Sequence, residues 1–219
     1  MRSRRLFLGF ILAALVPLGA AAQRAPGPVP EASWVRGGDL RLHLRAFKGN
    51  KLSNSPILVI VLHGDAPGKR PGQQDAFAAQ AATGRDVVAI GLLRPGYTDL
   101  QGNTSEGRKG RMNGDNYDAR NTDAIASAIG SLKRRHHSRK VVLAGHSGGA
   151  ALAANILGRH PALVDAALLV SCPCDVPAWR QNMFQLTKRP ESRPSSAWPR
   201  RPGCPPSTPP PGPRPARRT

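Results

Sequence analysis

The clearest signal along the chain is a set of short apolar runs separated by amphipathic stretches of helical period. Ile57-Leu58-Val59-Ile60-Val61-Leu62 has no polar alternation, which predicts a strand buried on both faces, as in a parallel sheet covered by helices on either side. Val87-Val88-Ala89-Ile90, Val141-Val142-Leu143-Ala144 and Ala166-Ala167-Leu168-Leu169-Val170-Ser171 predict three more buried strands of the same kind. Upstream, Ser33 to Arg36 and Asp39 to Phe47 flank Gly37-Gly38 and predict a hairpin. In its second arm Leu40, Leu42, Leu44 and Ala46 alternate with Arg41, His43 and Arg45, so His43 is expected on a solvent face. Helices are predicted over 71–83, over 117–135, where Ile125, Ile129 and Leu132 share one face, and over 149–159. The alternation of strand and helix predicts an α/β fold, a three-layer sandwich around a mostly parallel sheet.

One junction in that pattern carries chemistry. The run Val141 to Ala144 passes through Gly145-His146-Ser147-Gly148-Gly149 directly into Ala150-Ala151-Leu152-Ala153-Ala154, which is a strand, a tight turn bearing one serine, and a helix. A serine there sits at the C-terminal edge of the sheet with its hydroxyl exposed, so Ser147 is the candidate nucleophile. The N–H of Gly148 at the helix start is a candidate oxyanion donor. A second pair of donors is expected from the turn His63-Gly64-Asp65, where a glycine directly after the strand 57–62 lets the amides of Gly64 or Asp65 face the same edge. The glycine- and asparagine-rich loop from Asp99 to Asn116 leaves that edge too and is expected on the rim of a substrate pocket.

Composition changes the picture mainly at the two ends. With 219 residues and a hydrophobic fraction of 40 %, one α/β domain can bury a core. Residues 1–22 start with Arg2, Arg4 and Arg5, continue through the apolar run Leu6 to Leu18 and finish in Ala20-Ala21-Ala22, the layout of a cleavable export signal, with a retained anchor as the alternative. No other run is long or apolar enough to span a bilayer. Residues 23–32 form a proline-rich leader, 33–187 the α/β domain, and 188–219 a basic proline-rich tail. That tail carries eight Lys or Arg against Glu191 and few aliphatic residues, so it is expected to be disordered. It supplies +7 of the formal +19 and the signal +3, leaving about +9 for the middle. No aromatic stacking platform accompanies the basic residues, so no nucleic-acid partner is expected. Three cysteines in an exported chain leave one unpaired; Cys172-Pro173-Cys174 is too closely spaced to suggest a relaxed bridge, and the expectation is small buried thiols. No metal ligand spacing and no cofactor motif is present, so no cofactor is expected.

Taken together, the elbow Gly145-His146-Ser147-Gly148-Gly149, the His63-Gly64 turn, Arg94-Pro95-Gly96-Tyr97 after the next strand and the strand 166–171 after the elbow helix resemble the α/β-hydrolase superfamily over roughly residues 33–187. The resemblance implies a serine hydrolase of carboxylic esters or related acyl bonds of a small-molecule substrate. With the export signal it points to the esterase, peptidase and depolymerase branches and to a secreted or periplasmic protein. It also implies a triad in the chain order Ser, acid, His. No histidine follows His160. His160 closes the elbow helix on the order of 20 Å from Ser147, His136 and His137 precede the central strand roughly 30 Å away, His146 is expected to point away on the elbow, and His63 is expected to shape the oxyanion turn. Asp175 is the acid some relatives would place after this last strand; Asp165 lies at the wrong edge. The chain thus departs from the pattern near residues 185–189, as a truncated or frame-shifted gene would, with the nucleophile kept and the base lost. A non-catalytic binding or scaffold protein with a basic anchoring tail is the alternative. The oligomeric state is left open.

Overall fold

The computed structural model describes residues 31–188 apart from 85, 112 and 115. The signal and most of the leader, and all but the first residue of the tail, lie outside the described residues. The elements in chain order are β1 (Glu31–Gly37), β2 (Leu40–Lys48), β3 (Ile57–Leu62), α1 (Gln73–Ala81), β4 (Val87–Leu92), α2 (Ala119–Arg135), β5 (Lys140–His146), α3 (Gly148–Arg159), β6 (Ala166–Val170) and α4 (Val176–Thr187). The six strands form one sheet in the order β1-β2-β4-β3-β5-β6. β1 and β2 pair antiparallel, as do β2 and β4, and β4, β3, β5 and β6 run parallel. This is the mostly parallel three-layer sheet that the uninterrupted apolar runs imply.

Period-two alternation inside those runs divides the core into two layers. Leu58, Ile60 and Leu62 of β3, Val88, Ile90 and Leu92 of β4, and Val141 and Leu143 of β5 face α2 and α3, meeting Ile125, Ile129, Leu152 and Ile156. Val61, Ala89 and Ala144 turn to the other face and pack with Ala78 and Ala82 at α1. Among the described residues no helix is long and apolar enough to cross a membrane.

Four expectations need correction. His43 is 3 % exposed, not on a solvent face: its Nδ1 lies 3.1 Å from Asp99 Oδ2, and the start of the 99–116 loop covers it. Burial holds its pKa below the ordinary value, against the pull of Asp99. Helix α2 starts two residues later than its pattern suggests, because the Asp118 carboxylate accepts the Asn121 N–H and caps it. β6 is not buried: Leu168 is 47 % and Val170 40 % exposed, since β6 is the last strand of the described sheet, with α3 the main helix against it. Finally, Cys172 and Cys174 are not free thiols but a disulfide with Cα atoms 5.1 Å apart.

Candidate active site

Three parallel strands, β4, β3 and β5, end side by side, and the turns that leave them build the site. β5 runs into Ser147, whose φ of 50° and ψ of −118° are strained for a residue with a Cβ, and α3 begins at the next residue. That conformation persists because the backbone around it is fixed from both sides. The Ser147 N–H donates to Val170 O of β6 at 2.8 Å, and its carbonyl accepts from Ala150 and Ala151 at 2.9 and 3.1 Å.

The turn after β3 lies against this elbow. A Cβ on Gly64 would stand 3.2 Å from the Ser147 Cβ and 3.0 Å from His146 Nδ1, so the turn packs closely on the elbow. Gly148 is tighter still, as its missing Cβ would collide with the Asp65 carboxylate and the Tyr117 hydroxyl. As the first residue of α3, Gly148 has an N–H with no acceptor inside the helix.

Asp65, singled out in the sequence for its amide, does more with its carboxylate. Oδ1 pairs with Arg94 Nη1 at 2.9 Å, while Oδ2 accepts the Gly114 N–H at 2.7 Å and the Tyr117 hydroxyl. Both ionic side chains are almost wholly buried, at 5 % and 2 % exposure, so each charge depends on the other. The Arg94 guanidinium also stacks over the rings of Tyr97 and Tyr117. Burial, then the Asp65 charge, pushes the Tyr117 phenol well above its usual range, so it stays a donor. Arg94, Gly114 and Tyr117 were not read as site residues. The signal was present for one pair: an unmatched Asp and an unmatched Arg directly follow neighbouring apolar strands, and parallel pairing brings those strand ends together.

The histidines sort cleanly. His63 is fully buried; its Nδ1 donates to Gly64 O at 2.7 Å and its Nε2 accepts the Arg94 N–H at 3.1 Å. Burial and the Arg94 charge lower its pKa to about 3. Both ring nitrogens are occupied and the ring stays neutral, so it shapes the Gly64 turn and has no capacity to take a proton from Ser147. His146 is exposed, its Nδ1 meeting Gln73 Nε2 at 3.2 Å beside Gly64. His160 pairs with Asp123 at 2.8 Å at the far end of α3, and His136 caps the C-terminus of α2. Asp175 is an exposed N-cap, accepting the Ala178 N–H at 3.0 Å. Asp165 binds Lys140 and the Val141 N–H at the opposite edge of the sheet.

A cleft of about 210 Å³ opens beside the elbow between α1 and β6, lined by Val61, Phe77, Ala144, His146, Leu168 and Val170. Among the described residues no group of three His, Cys, Asp or Glu side chains is placed to hold a metal ion. The 99–116 loop reaches the site through Gly114, while Asp99 anchors its start by accepting the N–H groups of Gln101 and Asn103.

Comparison with known proteins agrees with this architecture. Residues 59–219 match the Alpha/beta hydrolase family. Similar solved structures include a proline iminopeptidase from Mycobacterium smegmatis, with TM-score 0.50 and 18 % identity over 73 % of this chain and 50 % of that one. An esterase from Pyrococcus furiosus gives TM-score 0.51 and 17 % identity over 75 % of this chain and 57 % of that one. A protein from Butyrivibrio proteoclasticus with ferulic acid bound gives TM-score 0.52 and 15 % identity over 69 % and 57 %. This chain therefore spans little more than half the length of those structures. No curated protein sequence matches it. With the family pattern matching most of the chain, the protein belongs to the alpha/beta hydrolase family.

Proposed function

We propose that the protein is an exported serine hydrolase of carboxylic esters or related acyl bonds in small molecules, with Ser147 as nucleophile. The observation that carries the reading is the strained φ of 50° at Ser147, at the junction of β5 and α3 with Gly64 in close approach. The amides of Gly148 and of the Gly64-Asp65 turn are the donors for the oxyanion formed when Ser147 Oγ adds to the acyl carbon. The Asp65–Arg94 pair holds that turn in place without adding net charge to it. No histidine follows His160, and Asp175 is the candidate acid; with the base absent, binding and the oxyanion hole alone would sustain a residual rate of about 10³ to 10⁴ over water.

A fluorophosphonate probe tests the nucleophile directly, because its electrophilic phosphorus bonds to the serine oxygen without needing turnover, and the oxyanion-hole amides still assist that attack when no base does, so that labelling is slow but specific. Labelling of the wild type that disappears in Ser147→Ala is the expected result. A folded wild type that takes up no probe overturns the reading. It favours the second one, a binding protein that keeps the hydrolase fold, a reading supported by the engagement of both His63 nitrogens.

A further inference from the structure

The Cys172–Cys174 disulfide plays no part in the chemistry above. It closes a ring across residues two apart in the turn between β6 and α4, and both cysteines are half-exposed. The stabilisation a disulfide gains by constraining the unfolded chain grows with the length of the loop it closes. A bridge around one residue therefore does little for global stability, and its effect is local.

The local surroundings are specific. Toward the N-terminus, two residues before Cys172, Val170 O accepts the Ser147 N–H at 2.8 Å, and the intervening Ser171 is held at a left-handed φ of 50°. Toward the C-terminus, Asp175 caps α4, and Arg180, 8 % exposed, donates from Nη2 to Gly114 O at 2.6 Å. The N–H of that same Gly114 binds the Asp65 carboxylate, which lies against Gly148. From one side of the disulfide a hydrogen bond reaches Ser147, and from the other hydrogen bonds reach Asp65, whose carboxylate packs against Gly148.

We propose that Cys172–Cys174 is a thiol–disulfide exchange site, taking a dithiol as co-reactant, whose redox state sets the geometry of the Ser147 elbow. A thiolate of the dithiol attacks one sulfur, forming a mixed disulfide and releasing the other cysteine, which takes up a proton. The second thiol of the reductant then attacks the mixed disulfide, freeing the first cysteine and leaving the reductant oxidised, a transfer of two electrons and two protons. Opening the ring lets Ser171 relax to a negative φ, which draws Val170 O away from the Ser147 N–H and loosens the seat of α4 on Gly114. The part of this inference that concerns reactivity rests on Ser147 being the nucleophile; the part that concerns geometry does not.

The test uses the full chain, oxidised or treated with dithiothreitol. Peptide-resolved alkylation follows Cys172 and Cys174, and hydrogen exchange follows α4, residues 113–117 and 147–150. Reduction is expected to make both cysteines alkylatable, to speed exchange in all three segments, and to lower the rate of fluorophosphonate labelling by about threefold or more. The double variant Cys172→Ser/Cys174→Ser is expected to behave as the reduced protein and to ignore dithiothreitol. Cysteines that alkylate fully without reductant, or exchange at 113–117 and 147–150 unchanged by reduction, overturn the inference. If Ser147 reacts in neither redox state, the proposed nucleophile falls while the exchange measurement still decides the switch.

Discussion

At the scale of single residues, the site is defined by contacts between backbone and buried charge. Adding one methyl group at Gly148 drives it into the Asp65 carboxylate and the Tyr117 hydroxyl. Gly148→Ala is therefore expected to lose about 1–3 kcal/mol of stability, read as a lower midpoint of chemical denaturation, and to lose probe labelling with it. A second prediction concerns Asp75, in the first turn of α1. Its burial, only partly offset by Arg45 at 3.7 Å and reinforced by Asp99, raises its pKa from 3.8 to about 6. An acid whose pKa is raised on folding favours the protonated fold. Its ionisation therefore weakens the protein above about pH 6, and the penalty fades as pH falls toward the unfolded value near 4. Asp75→Asn is expected to be more stable than wild type at pH 7 by about 1–2 kcal/mol, allowing for solvent screening of the partly exposed pair. The gap should close by about pH 4; thermal melts across that range check it, and a gap independent of pH sinks the assignment.

At the scale of elements, β3 to β6 were legible as uninterrupted apolar runs, β2 as a period-two alternation and β1 as its hairpin partner across Gly37-Gly38, and the elbow because strand, Gly-x-Ser-x-Gly and helix follow without a gap. Three features were not. Helix α4 has a weak apolar stripe, and its clearest sign is Asp175 followed by Pro177 at the second helical position, a cap pattern that is easy to pass over in a loop. His43 alternates with leucines as a solvent-facing residue does. A pattern confined to β2 cannot register that the loop from Asp99 folds back to bury it with a carboxylate. Asp65 and Arg94 are 29 residues apart, and only the parallel pairing of β3 with β4 makes them a pair. The cap of α2 gives a prediction at this scale. Asp118→Ala removes the acceptor for the Asn121 N–H at 2.8 Å and is expected to cost about 1 kcal/mol, read by denaturant titration.

At the scale of the whole molecule, the described sheet is asymmetric. Its β1 side is backed by α2, whereas β6 ends the described sheet with Leu168 and Val170 exposed and no charged residue between Ala166 and Val170. An apolar, uncharged edge is the kind that pairs with other chains. Leu168→Lys is accordingly expected to reduce concentration-dependent association, measured by light scattering, with little change in the thermal midpoint; unchanged association would place the contact elsewhere. The same rim shows a different kind of limit where β5 meets α3. There a Cβ on Gly145 would stand 2.5 Å from Gly149 O, and one on Gly149 2.5 Å from His63 O, so main chain abuts main chain with no side chain to yield. At Gly72 the obstacle is only the tip of Leu100, which is 62 % exposed and free to swing aside. In a saturation library alanine should score as badly as tryptophan at 145 and 149, and near wild type at 72.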